Sequence, residues 1–428
     1  MRMWTYIIRR ILLVFPVLIG VVTITFILFQ ALPIEDRLIS HFGSSPHQDT
    51  CYYTPSCECE LLNEPSVRNG QCKCIDPTVV VTPTTQCPSP YYGVRIQQLG
   101  LNKPVPEQWA LFVERSFTFQ WGTIANHSAL GSNTQFAAIK DQPVATALSW
   151  ELPYTLELAG ISLALIMAIS IPLGNYAAVN RNRPVDQASR LMSFSGFALP
   201  AFLLGNLLLI AVTLLVLPHT GFQVHSPWCN GGEPLPNEVF GSIPTTNCYA
   251  NLGFGQQYPA WMANGVTTHP TGFVTLDAAL HGQYWLAFDT IIRILIPALV
   301  IAYGTIAVLL RFVRNSMLEV MNLDYVRTAR AKGVPEGIVT KKHAGRNSLN
   351  VTITVLGLTF ASFVSGFPVI EDVFGLNGVG AVLASAVVQP IDYGMIFGST
   401  LLFTYLVVAA NIIVDVLYAY LDPRVRLG

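Results

Sequence analysis

The side chains best suited to covalent or metal chemistry are eight cysteines. Cys51, Cys57, Cys59, Cys72, Cys74 and Cys87 form one group, and Cys229 with Cys248 forms another. Paired thiols suit either disulfides or a thiolate metal site. Cys57-x-Cys59 and Cys72-x-Cys74 have the outline of a four-cysteine zinc site. However, one intervening residue makes a poor knuckle, and Cys51 and Cys87 would be left over. Disulfides are the favoured reading and no metal is assigned. Cys229–Cys248 is the one pairing inside its own loop, whereas connectivity among the first six stays open. Asn126-His127-Ser128 is a glycosylation sequon. Glu371-Asp372, before a glycine-rich turn, is a carboxylate pair fit to meet a solute, anchor a re-entrant helix or simply face water. No catalytic set emerges. There is no Gly-Lys dipeptide for a phosphate-binding loop, and no H-E-x-x-H or G-x-S-x-G element.

The elements that carry these residues are set by composition. Over 428 residues only 11% are charged and 52% are hydrophobic, against roughly 25% charged in soluble domains. A net charge of −1 argues against nucleic acid as a partner. A bilayer core needs about 20 apolar residues as helix. Six segments qualify or nearly do: 11–32, 158–179, 191–217, 294–310 (extending back through Phe288), 348–370 and 393–414. The expected fold is an all-α integral membrane protein of six transmembrane helices, with Pro16, Pro172 and Pro297 as tolerated kinks. The first span is too long for a signal-peptide core and reads as a permanent helix.

Most of the 24 basic residues fall at the N-terminus, after span two, between spans four and five, and in the tail. The positive-inside rule makes those segments, and both termini, cytoplasmic. All eight cysteines then fall outside, in even numbers per segment, as pairing in an oxidising compartment requires. The resulting organisation is 1–35 (N-terminus and first helix), 36–150 (external, with a Cys-rich stretch at 40–92), 151–217 (helices two and three), 218–285 (external) and 286–428 (helices four to six). A cytoplasmic loop at 311–349 interrupts the last unit.

That loop is basic yet built from helix formers. Leu318–Lys332 reads as helix, Gly333 breaks it, and Pro335 starts a second stretch running to about Asn347. A helix–glycine–helix knob on the inner membrane face is a grip for a partner, although a solvated charged face accounts for the same residues.

Here the sequence resembles a known family. Asp324-Tyr325-Val326-Arg327-Thr328-Ala329-Arg330-Ala331-Lys332-Gly333, with His343-Ala344 and Arg346-Asn347, is similar to the coupling loop of dipeptide/oligopeptide ABC transporter permeases. Arg9-Arg10-Ile11-Leu12-Leu13, Leu152-Pro153-Tyr154-Thr155-Leu156-Glu157-Leu158, Ile171-Pro172-Leu173-Gly174 and Val416-Leu417-Tyr418-Ala419-Tyr420-Leu421-Asp422-Pro423-Arg424 match the same family in order. The resemblance spans 1–35, about 95–217 and about 286–428. It implies a type I importer fold and a non-enzymatic subunit with no cofactor of its own. Implied partners are a second homologous permease, two ATPase subunits that bind ATP and Mg2+, an external solute-binding protein and the lipid bilayer. It assigns the coupling role to Asp324, Arg327, Thr328, Ala329, Gly333 and Pro335. The family's glutamate is Arg327 here, so the role carries over without the acidic contact. Imported peptides, or solutes such as oligosaccharides, would pass a wall including Ser193, Ser195, Thr359, Ser362 and Ser365; helix packing explains the same small residues. Glu371, Asp372, Phe374 and Gly378 resemble the family's outer element, with Asn377 where proline is usual. The stretches 40–92 and 222–285 look like insertions above the pore, suited to docking the binding protein. A disulfide-stapled exterior fits a prokaryotic and in particular an archaeal cell surface. Two other classes compete. An ion-gradient-driven transporter needs ionisable groups within its spans, and the six apolar runs carry almost none. A membrane-anchored receptor or adhesion module would use the Cys-rich region but leave the cytoplasmic loop unexplained.

Overall fold

The computed structural model describes residues 3–42, 92–124, 142–216, 271–345, 348, 364, 366–376, 378–388 and 391–421. All eight cysteines, Asn126, Thr359, Ser362, Ser365 and most of the 348–370 span lie outside them. The described residues are helical without a strand; one isolated bridge joins Thr123 to Pro143.

In chain order the helices are α1 (Met3–Gln30), α2 (Ile34–Phe42), α3 (Tyr92–Leu99), α4 (Val105–Phe117), α5 (Val144–Val179), α6 (Pro184–Ala198), α7 (Ala201–Ala211), α8 (Val274–Leu280), α9 (Tyr284–Met321), α10 (Asp324–Ala331), α11 (Phe367–Val373), α12 (Val379–Val387) and α13 (Tyr393–Leu421). Among the described residues, four stretches are long and apolar enough to cross a membrane: Leu12–Gln30, Val144–Val179, Tyr284–Met321 and Tyr393–Val414.

Three expectations need correction. The third span is not one rod: α6 and α7 meet at a 107° bend. Pro200 explains it, because proline offers no N–H and forces Leu199 out of helical geometry (φ −101°, ψ 115°). The second span starts earlier, at Val144, so Pro153 joins Pro172 inside α5. The fourth does not stop at Arg311 but continues as helix to Met321. At 1.5 Å per residue the 38 residues of α9 reach about 57 Å, beyond the ~30 Å of hydrocarbon.

α9 is the central column. Half of its most apolar window is buried within the chain, against 17–22% for the other three spans. Ile294, Val300, Ile301, Ile306, Leu309 and Val313 from α9 form one core with Leu158 and Ile166 from α5, Phe367 and Ile370 from α11, and Phe374 directly after it. Small residues permit the close crossings. A Cβ on Gly174 would sit 2.7 Å from Val313, and one on Gly196 would sit 2.2 Å from Ala307. At the periphery α1, α4 and α13 pack through Phe29–Phe397 (5.3 Å, edge-on), Trp109 Nε1–H donating to Thr23 Oγ1 (3.0 Å) and Tyr405 O–H donating to Ser116 O (3.0 Å).

Candidate functional site

Two helix–turn–helix devices sit at the ends of this column. The first follows α9 directly. Asp324 opens α10 and Arg330 closes it, matching each charge to the helix dipole. Gly333, at φ +77°, takes the left-handed conformation that ends the helix. The Gly333 N–H donates to Arg330 O (2.9 Å) and the Val334 N–H to Ala329 O (3.2 Å), the double bond of a Schellman cap. Pro335 then accepts from Ile338 N–H (2.8 Å), starting a turn over Glu336–Ile338. The chain continues as a π-helical segment, Val339–Gly345, where α-helix to about Asn347 was expected. Val326 and Ala329 are buried against Val339, with Val334 alongside. Arg330 and Glu336 pair at 2.6 Å, holding the Glu336 carboxyl below its ordinary range and raising Arg330.

This packing sorts the residues expected to couple. Asp324, Arg327 and Thr328 are exposed, whereas Ala329 faces inward. The hairpin also exposes three apolar side chains to which the sequence alone assigned no role: Leu323 (48% exposed), Tyr325 (40%) and Ile338 (48%). Exposed apolar groups on a charged knob have the character of a docking surface. Beneath it, buried Asp186 of α6 accepts hydrogen bonds from Arg314 of α9 (Nη2, 3.1 Å), Arg190 (2.8 Å) and the Asn182 N–H (2.8 Å). The root of the hairpin is thereby tied to the loop between α5 and α6.

The second device is α11–α12. Its turn repeats the first cap: Gly375 has φ +59°, its N–H donates to Asp372 O (3.2 Å), and the Leu376 N–H donates to Glu371 O (2.8 Å). The two carboxylates separate, with Asp372 exposed and Glu371 1% exposed. Glu371 Oε2 accepts the N–H groups of Gly380 (2.7 Å) and Ala381 (3.1 Å). Thr155 of α5 donates to Glu371 Oε1 (2.8 Å) and accepts from Val379 N–H (2.9 Å). Gly378, the residue before α12, has no side chain to cap it, so Glu371 and Thr155 satisfy its first three amides instead. The glycines are needed for room. A Cβ on Gly378 would lie 2.3 Å from Glu371 Oε2, and one on Gly380 would lie 2.6 Å from the Pro368 backbone. Phe374 is wholly buried in the core.

Of the hydroxyls assigned to a path, Ser193 bonds back to Ser189 O (2.9 Å) and Ser195 bonds Tyr303 (2.5 Å), so both serve helix contacts. Charges within the long helices were undercounted. α5 buries Glu151 and Glu157, and α9 buries an Asp289–Arg293 pair (2.8 Å). Their i,i+4 spacing marks Asp289 and Arg293 as a pair in sequence, and Glu157 stands inside a quoted motif; nothing local flags Glu151.

A model of the binding-protein-dependent transport system inner membrane component family matches residues 170–427, more than half of the chain and both devices. The chain belongs to that family. Curated relatives of this inner membrane component extend the likeness. It is 32% identical to a probable D,D-dipeptide transport system permease protein of Escherichia coli K12 over 332 residues, 78% of this chain and 83% of the relative. It is 28% identical to an oligopeptide transport system permease protein of Bacillus subtilis 168, across 99% of this chain and 100% of the relative. A dipeptide transport system permease protein of Escherichia coli K12 is 27% identical over 353 residues, 82% of this chain and 90% of the relative. The inner membrane component is thus a multi-pass membrane permease with an all-α fold.

Proposed function

We propose that this chain is one permease subunit of an ATP-driven importer of peptides or related small solutes. A homologous permease completes the pore. Two ATPase subunits, holding ATP and Mg2+, grip the Asp324–Gly345 hairpin from the cytoplasm, where both termini also lie. An external binding protein delivers solute from the other side, near the 40–92 and 222–285 stretches, whose cysteines pair as disulfides in this reading. The observation that carries the proposal is mechanical continuity. The partly apolar, exposed hairpin is rooted in α9, a single helix that runs through the middle of the molecule to the side bearing α8. Force applied to Leu323, Tyr325 and Ile338 therefore reaches α9 and, through Asp186–Arg314, α6. Two ligand-biased arrangements of such a column give alternating access. The relatives' printed names, which concern peptides, supply the solute class.

Mild-detergent purification followed by mass spectrometry tests this. A second permease and two ATPases should co-purify, and Tyr325→Ala with Ile338→Ala should release the ATPases while the permeases stay paired. A chain that moves peptide alone in liposomes without ATP would overturn the reading.

A further inference from the structure

Away from the central column, α1, α4 and α13 enclose a cleft of about 650 Å³, counting its open mouth. Residues of α2 and α3 close one end, and none of the lining comes from α5, α9, α11 or α12, so the cleft stands apart from both devices. Its size is that of a small-molecule site. The walls are apolar: Phe26 and Phe29 of α1, Phe112 of α4, Trp121, and Phe397 and Leu401 of α13. Phe112 lies tilted 5.6 Å from Phe26 and 5.7 Å from Phe29. The rim amides are spent on their neighbours. Gln30 donates to Gln108 Oε1 (2.6 Å) and accepts from Arg37 (2.5 Å), and Gln108 donates to Leu101 O (3.0 Å) and Lys103 O (2.7 Å).

One lining group carries charge. Arg115 of α4 is half-buried and donates to Leu99 O (3.1 Å) and Gln98 O (2.9 Å). Those carbonyls fix the guanidinium without neutralising it, and three of its five N–H groups are left over. Among the described residues no carboxylate forms an ion pair with Arg115; the adjacent Glu114 is exposed. Burial pulls Arg115 below its ordinary range, and Glu114 opposes that pull. Burial, together with Arg115, brings His41 down to about 4, so His41 is neutral at pH 7.

The cleft also sits where a membrane would end. Phe26, Phe29 and Gln30 close the apolar stretch Leu12–Gln30, and Gly394 and Phe397 belong to the start of Tyr393–Val414. Trp109, Trp121 and Tyr405 surround it with their polar ends bonded to Thr23 Oγ1 (3.0 Å), Ser116 O (3.1 Å) and Ser116 O (3.0 Å). Amphipathic rings of this kind gather at the headgroup level. Beside the cleft, Ile24, Ile27 and Leu28 of α1 are exposed, a track for a hydrocarbon chain. A soluble anion would meet Arg115 and leave the aromatic walls in water. A zwitterionic headgroup would bring a cation of its own to a site that already holds one.

We propose that this cleft binds one anionic phospholipid. The phosphate takes the remaining N–H groups of Arg115, and the first part of an acyl chain lies between Phe26, Phe29, Phe112 and Phe397. The rest of the chain follows Ile24–Leu28. The lipid comes from the leaflet bordering this end of α1 and α13; only the naming of that leaflet as external rests on the orientation proposed above.

The test is photolabelling of the purified transporter complex in phosphatidylcholine nanodiscs. The probe is a small fraction of phosphatidylglycerol with a diazirine on its acyl chain, and labelled peptides are mapped by mass spectrometry. Label should concentrate on residues 26–30, 112–121 and 394–401, which line the cleft. Unlabelled phosphatidylglycerol should compete it away, and inorganic phosphate should not. Loss of the charged hydrogen bonds in Arg115→Gln should cut labelling roughly tenfold, while Arg115→Lys should keep most of it. Gln120→Trp, at an exposed position on the lining, should block the mouth and cut labelling similarly without disturbing the bonds of Arg115. Label spread evenly over the helices, or unchanged in both Arg115→Gln and Gln120→Trp, overturns the site. Competition by inorganic phosphate would assign the cleft to a free anion and overturn the lipid. Equal labelling by a phosphatidylcholine bearing the same diazirine would overturn the role of charge. Labelling needs neither ATP nor solute, so its failure is distinguishable from failure of the importer assignment.

Discussion

The two ends of the molecule use the same cap for opposite purposes. Gly333 and Gly375 both sit in the left-handed region and close a helix with the same pair of backbone bonds. A Cβ added at Gly333 would meet nothing within 4 Å, and the neighbouring residues turn charge and apolar surface outward. Beyond Gly375 the following glycines are pressed onto Glu371 and Pro368, and the hydrogen bonds are buried. One glycine is required for its backbone angle, and the others are required for their lack of a side chain. The lesson is that a handle and a seal can share a turn while differing in what holds them. The inner device tolerates added volume but not a lost angle. The outer one tolerates neither added volume nor a lost acceptor.

The largest expected effect tests the sealed end. Gly380→Ala would bring a methyl group to 2.6 Å from the Pro368 backbone and 2.8 Å from Glu371 Oε2. Overpacking of a rigid backbone typically costs about 1–3 kcal/mol, and disturbing a buried hydrogen-bond acceptor adds a comparable amount, so ~3 kcal/mol is expected. Thermal unfolding of the purified complex should show a clearly lower midpoint. An unchanged midpoint would mean that α11–α12 is not tightly seated and would remove the contrast with the inner turn.

How much of this contrast was legible beforehand follows from its physics. Helix propensity, Gly333 and Pro335 are local signals, so the inner hairpin could be outlined from sequence, down to its break. The outer turn could be found but not interpreted. Whether Glu371 faces water or caps α12 depends on Thr155, 216 residues away. The same limit hid Glu151, because burial of a carboxyl is decided by helices that pack on it. The 107° bend at Pro200 was partly visible: proline marked the break, yet the apolar run through it read as one span. Apolar runs also understated helix length, since α5 begins well before its apolar run and α9 continues beyond both ends of its own. Charge-free apolar runs were therefore weak grounds for setting ion-driven transport aside. The transporter class rests instead on the family match and the hairpin.

A smaller effect is expected at the open end. Gly333→Ala meets no atom, so its cost is the backbone conformation alone, about 1 kcal/mol. That cost should stay local. The global unfolding midpoint should barely move, while hydrogen exchange across residues 324–345 accelerates and ATP turnover becomes less dependent on solute. Gly333→Asn should recover most of the loss, because asparagine enters the left-handed region more readily than alanine. If Ala and Asn behave alike, the angle is not what matters there.

The smallest effect concerns charge. Arg330 and Glu336 are 37% and 55% exposed, so their pairing is screened by solvent and contributes only ~0.2–1 kcal/mol to holding the hairpin. Because Arg330 depresses the Glu336 carboxyl below its ordinary 4.5, the contribution is complete above that value. It is lost as pH falls through the lower, folded value. Acidifying from neutral to about pH 5 should leave the protection factors of Val334–Gly345, exchange divided by its intrinsic pH-dependent rate, unchanged, and only stronger acid should lower them. Glu336→Gln should remove that acid dependence. Molar salt should weaken the inner pair, since its charges lie in water within reach of counterions. The bonds to Glu371, enclosed by α5, α11 and α12, should not respond. Equal salt sensitivity at both ends would show that the outer carboxylate is wetter than its packing implies.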